Sequence, residues 1–106
     1  EAANLSLNVV SYTAVIAAYA HQKDGESAAT WFTKMEAATS KPNIASYNAV
    51  MNAFAKRGDA ENVARWFDYM EAVELKPNMV SYNSVIDAFV KQGDSDGVEE
   101  WLAKMK

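Results

Sequence analysis

The sequence predicts an all-α protein, an α-solenoid of tandem helical hairpins, from two observations. One 35-residue unit recurs along the 106 residues, and each copy carries two stretches of apolar residues at helical spacing. Val-Ser-Tyr-Thr-Ala-Val-Ile at 10–16 returns as Ala-Ser-Tyr-Asn-Ala-Val-Met at 45–51 and as Val-Ser-Tyr-Asn-Ser-Val-Ile at 80–86. Tyr12, Tyr47 and Tyr82 keep the same 35-residue step, as do Trp31, Trp66 and Trp101, and Met35, Met70 and Met105.

The step divides the chain into residues 1–8, the tail of a preceding unit, then units at 9–43, 44–78 and 79–106. Glu1-Ala2-Ala3 aligns with Glu36-Ala37-Ala38. The third unit lacks the Lys-Pro-Asn that closes the first two. These ends suggest a window onto a longer array.

Within each unit the first helix is expected at 9–22, 44–57 and 79–92. Its buried face is read from Tyr12, Val15, Ile16 and Tyr19, from Tyr47, Val50, Met51 and Phe54, and from Tyr82, Val85, Ile86 and Phe89. The second helix shows the same spacing at Val63, Trp66, Phe67 and Met70. Asn43 and Asn78, each after a Pro, are suited to cap the next helix in the chain. Gly58-Asp59 and Gly93-Asp94 supply a helix stop and then a cap. The first unit has Lys23 where the others have Gly, so either Lys23 takes a positive φ or Gly25 shifts the turn. One amphipathic hairpin cannot bury its apolar face alone, so the units must stack in two rows.

Composition narrows the function. There is no Cys and only one His, His21, which removes thiolate zinc sites, a cysteine nucleophile and a histidine metal cluster. No paired catalytic carboxylates share a face and no Gly-rich phosphate loop is present, so an enzyme is not expected. No cofactor, small-molecule substrate or membrane span is expected either. The formal net charge of −4 weighs against a polyanionic partner. The acids are unevenly spread, however. The expected first helices hold only Asp87, together with His21, Lys56, Arg57 and Lys91. The other acids fall in the turns, the second helices and the N-terminal residue.

The Val-x-Ser-Tyr-Asn opening, the mid-unit Gly-Asp, the Trp-Phe and Met of the second helix and the closing Lys-Pro-Asn resemble the pentatricopeptide repeat family. The likeness covers essentially the whole chain. Trp31, Trp66 and Trp101 depart from it, since the family more often has Leu there; their spacing reads as core. The resemblance implies a right-handed α-solenoid that binds single-stranded RNA, about one base per repeat. It implies that base edges meet the fifth and last residues of a unit: Thr13 with Asn43, and Asn48 with Asn78. Asn83 is a fifth residue, and Asn8 a last residue, without its mate. By the family's pairing rule Thr with Asn resembles an adenine reader. Asn with Asn resembles a pyrimidine reader preferring cytosine. Val10, Ala45 and Val80 would flank the bases. Lys56 and Lys91 would approach phosphates, with His21 in that place in the first unit. The family also implies work on transcripts in a mitochondrion or plastid, although no targeting segment is visible. The alternative is a scaffold whose solenoid surface holds a protein neighbour in a larger assembly. The acidic balance, small Ala45 and Asp87 favour it.

Overall fold

The computed structural model describes residues 9–38 and 41–105, and Asn8 lies outside them. Six helices succeed one another: α1 (Val9–His21), α2 (Gly25–Ala37), α3 (Ile44–Lys56), α4 (Ala60–Ala72), α5 (Met79–Gln92) and α6 (Ser95–Met105). No strand occurs among the described residues. The array measures 50 × 28 × 17 Å, an elongated shape that stacked hairpins produce. No described helix is long and apolar enough to cross a membrane.

Local chemistry sets the helix ends. The Asn43 side chain accepts from the Ser46 amide, and the Ser46 hydroxyl accepts in return from the Asn43 amide; Asn78 and Ser81 repeat this capping box. Asp24, Asp59 and Asp94 cap the second helices by accepting from the amides of Ser27, Asn62 and Gly97. All three mid-hairpin turns close alike. The amides of Asp24, Asp59 and Asp94 reach back to the carbonyls of Tyr19, Phe54 and Phe89 at 3.0 Å. That turn needs one left-handed residue. Gly58 and Gly93 supply it at φ 73°, and Lys23 adopts φ 60° in the same place. Gly25 does not shift the turn. It opens α2, where the Phe54 ring leaves no room for a Cβ. Glu74 is a second left-handed non-glycine residue, φ 66°, at the end of α4.

Packing between hairpins builds the core. The first helices run side by side, α1 against α3 and α3 against α5. No Cα of α2 comes within 8 Å of α4, nor any of α4 within 8 Å of α6. The second-helix row is therefore the splayed, outer one, and the first helices line the inner side of the curve. Rings bridge the wider gap. Phe32 of α2 meets Tyr47 of α3 at 4.7 Å and Trp66 of α4 at 4.8 Å, both edge to face. One step on, Phe67 meets Tyr82 at 4.9 Å and Trp101 at 4.8 Å. Edge-to-face pairs add about 0.5–1.5 kcal/mol each beyond burial. Trp66 and Trp101 thus belong to the joints between successive hairpins, whereas Trp31 meets Tyr12 of its own hairpin at 6.3 Å. Trp31 and Trp101 are additionally covered by Lys34 and Lys104, whose ammonium groups lie 4.5 and 4.1 Å from the ring centroids.

A left-handed Lys carries strain of about 1 kcal/mol that Gly avoids. Lys23→Gly should therefore raise the urea midpoint by an amount worth about 0.5–1 kcal/mol. A fall in the midpoint would mean that the Lys23 side chain contributes more than its backbone costs.

Candidate nucleic-acid interface

The expected base-reading residues gather at the N-terminal ends of the first helices, and two serines join them. In the first group the Ser46 hydroxyl donates to Asn43 Oδ1 at 2.9 Å and lies 3.0 Å from Thr13 Oγ1. The Ser46 hydroxyl has one proton to give: either it serves Asn43 and Thr13 donates to it, or it serves Thr13 and the Thr13 proton turns elsewhere. Asn43 Oδ1 also holds the Ser46 amide at 3.0 Å. That backbone bond fixes the side-chain amide's orientation, so Asn43 Nδ2 faces outward as a donor.

The second group is tighter. The Ser81 hydroxyl donates to Asn48 Oδ1 at 2.6 Å, and Asn48 Nδ2 donates to Asn78 Oδ1 at 3.2 Å. Asn78 Oδ1 is again held by the Ser81 amide, at 3.1 Å. Both side-chain oxygens are thus turned inward and occupied. One N–H on Asn48 and the outward NH₂ of Asn78 remain. The first group therefore sets a hydroxyl, able to donate or accept, beside an amide donor, and the second offers donors only. Asn48 is only 8% exposed. Ser46 and Ser81 are fully buried, and no sequence motif assigns them a role at the interface. Their one signal is the capping-box spacing, which shows the local bond but not the contact to the neighbouring helix.

The remaining candidates separate. Val10 and Val80 are exposed, 75% and 54%, on the inner row, as flanking residues must be; Ala45 is exposed too. Asn83 is exposed and lines a groove with Asn52, Val80, Ser84 and Asp87. Lys56 is half-buried and stands in no ion pair among the described residues. Lys91 is held by Asp87 one turn earlier, Nζ to Oδ2 3.4 Å, so part of its charge is already compensated. Arg57 is committed to Glu26 of the preceding hairpin. That hydrogen bond holds the Glu26 carboxyl below the usual carboxylate range. His21 is exposed at the end of α1.

Family profiles match along the chain. The pentatricopeptide repeat domain covers residues 1–57, the PPR repeat family 42–91 and the PPR repeat 80–106. The chain belongs to the pentatricopeptide repeat family. The maize pentatricopeptide repeat protein PPR10 superposes with a TM-score of 0.87 at 24% identity, over 98% of this chain and 15% of that one. The structure of PPR10 in complex with an 18-nt psaJ RNA element superposes with a TM-score of 0.85 at 27% identity, over 91% and 14%. The chain thus spans about one seventh of the length of the solved structures it matches. No curated protein sequence matches it significantly. Pentatricopeptide repeats account for the hairpin order, the stacked inner row and the right-handed α-solenoid.

Ser81→Ala tests the join between cap and interface. It strands Asn48 Oδ1 in a buried position, which should cost about 1–3 kcal/mol in urea unfolding. A loss under about 0.5 kcal/mol would show that Asn48 finds another partner freely.

Proposed function

We propose that this chain is a binding module of a pentatricopeptide-repeat protein that recognises single-stranded RNA, about one base per repeat. Residues 9–43, 44–78 and 79–106 are its units, with 1–8 the tail of another. The observation that carries the reading is the pair of polar groups on the inner row. Each consists of a fifth residue and a last residue joined through a buried serine. Thr13 with Asn43 offers a hydroxyl beside an amide donor, and with that hydroxyl accepting, the pair complements the N6 amine and N1 of adenine. Asn48 with Asn78 offers donors only, which complements the adjacent N3 and O2 acceptors of cytosine. Exposed Val10, Ala45 and Val80 present apolar or small surfaces for the base faces, and Lys56 a cation for phosphate. RNA binding by PPR10 is consistent with this use of the same fold. Asn83 and Asn8 would read neighbouring bases. Family membership further supports action on organellar transcripts, in a mitochondrion or plastid, by binding and not by catalysis.

Magnitudes bound the affinity. At about 1–3 kcal/mol per base, two or three units reach roughly millimolar to micromolar dissociation constants. A labelled single strand containing adenine followed by cytosine should shift the inner-row amide resonances, more weakly as salt rises. The double variant Thr13→Ala/Asn48→Ala should weaken binding by about tenfold or more while retaining the helical circular dichroism. Equal binding of strands with the two bases exchanged would refute base reading, and no binding at low salt would refute the RNA function. A protein-scaffold role would then be favoured.

A further inference from the structure

A cleft of about 430 Å³ opens where the closing turns of the first two hairpins meet. Its volume lies within the range of small-ligand sites. Glu36 of α2, Lys41 and Pro42 of the following turn, Tyr47 of α3, and Val73, Glu74 and Leu75 after α4 line it. None of the base-reading side chains lines it.

Tyr47 is the informative residue. It is only 2% exposed, its ring wedged among Phe32, Trp66 and Tyr69. Among the described residues its hydroxyl has no hydrogen-bond partner, although it lines the cleft. The oxygen is not sealed from solvent, since no fully buried side-chain oxygen among the described residues lacks a partner. Burial, with the Glu36 carboxylate and the Tyr69 phenol nearby, pushes its pKa up to about 12, so the oxygen stays protonated and neutral at physiological pH. Glu36 and Glu74 are both exposed and stand in no ion pair among the described residues, and Lys41 pairs with neither. The cleft therefore presents two carboxylates and a phenol oxygen against one ammonium. Its apolar wall is formed by Pro42, Val73 and Leu75. An occupant that satisfies this set carries a positive charge, several N–H donors and an aliphatic stem. A guanidinium meets those terms better than an ammonium. It is planar, weakly hydrated and able to bridge two carboxylates while lying against apolar surface.

We infer that this cleft receives an arginine side chain from a partner protein, its guanidinium between Glu36 and Glu74 and its stem against Pro42, Val73 and Leu75. Tyr47 completes the site through its hydroxyl oxygen. The partner is thus a basic segment docking on the edge of the array, beside the inner row.

The test is an NMR titration of the isotope-labelled chain with N-acetyl-Gly-Arg-Gly-amide, and with the corresponding lysine and glutamate peptides. The arginine peptide should give saturable shifts at the amides around Tyr47 and Glu74. Glu36→Gln/Glu74→Gln should weaken it by about tenfold, as expected for loss of charge-assisted hydrogen bonds. Tyr47→Phe should weaken it by about threefold, a neutral hydrogen bond's share, while leaving the urea midpoint unchanged or higher. The glutamate peptide should not bind. Shifts that never saturate, equal binding by the lysine peptide, or binding indifferent to the double variant would overturn the assignment. Marked destabilisation by Tyr47→Phe would also overturn it, because the hydroxyl would then have an internal partner.

Discussion

The oxygen of a closing asparagine accepts the backbone amide three residues into the next helix, and most of the molecule's functional geometry depends on that bond. It starts α3 and α5 at a fixed residue. It also orients the asparagine, because only the oxygen can accept the amide hydrogen. The same capping serine then reaches sideways to the preceding inner helix, to Thr13 in one case and Asn48 in the other. A helix start, a joint between hairpins and a row of outward N–H groups are thus parts of one network. Such a network loses more than one bond's worth when a member is removed, since Asn48 and the two serines are buried and cannot turn to water.

The local parts of this network are legible in the sequence. Helix positions, the Asn and Asp caps and the glycine stops each depend on residues within one turn of each other. The choice at Lys23 resolves in favour of the turn its neighbours use, because the bond from Asp24 back to Tyr19 is the same one that Gly58 and Gly93 permit. The parts that escape are those requiring two hairpins at once. Ser81 meets Asn48 across 33 residues, and Phe67 meets Trp101 across the outer row. Spacing within one helix therefore cannot show that Asn48 is buried. Tyr47 is placed in the core by its spacing, yet nothing local signals that its hydroxyl emerges in a cleft. Glu74 occupies a glycine-like turn position without any glycine signal.

Charge distribution reconciles an acidic chain with the proposed nucleic-acid surface. Among the described residues the inner helices carry one acid, Asp87, and the other acids cap second helices or lie on the outer row and turns. Asp87 restrains Lys91 one turn away, which leaves Lys56 as the inner-row lysine outside an ion pair among the described residues. The hairpins are consequently unequal: the second offers phosphate an uncompensated lysine, whereas the third offers a cation already paired. On the proposed RNA-binding reading, affinity from this stretch would rest more on base edges and faces than on phosphate neutralisation, and its salt dependence should be shallow.

If the cap fixes which atom of the asparagine meets the base, Asn78→Asp separates its two roles. Asp caps as well as Asn while presenting an oxygen outward in place of an NH₂. Urea unfolding and RNA titration of this one variant decide the point. Stability should stay within about 0.5 kcal/mol of the parent. Cytosine binding should fall and uracil binding should rise, because the outward carboxylate can accept the uracil N3 hydrogen. Unchanged cytosine preference at unchanged stability would mean that the capping bond does not govern which base is read.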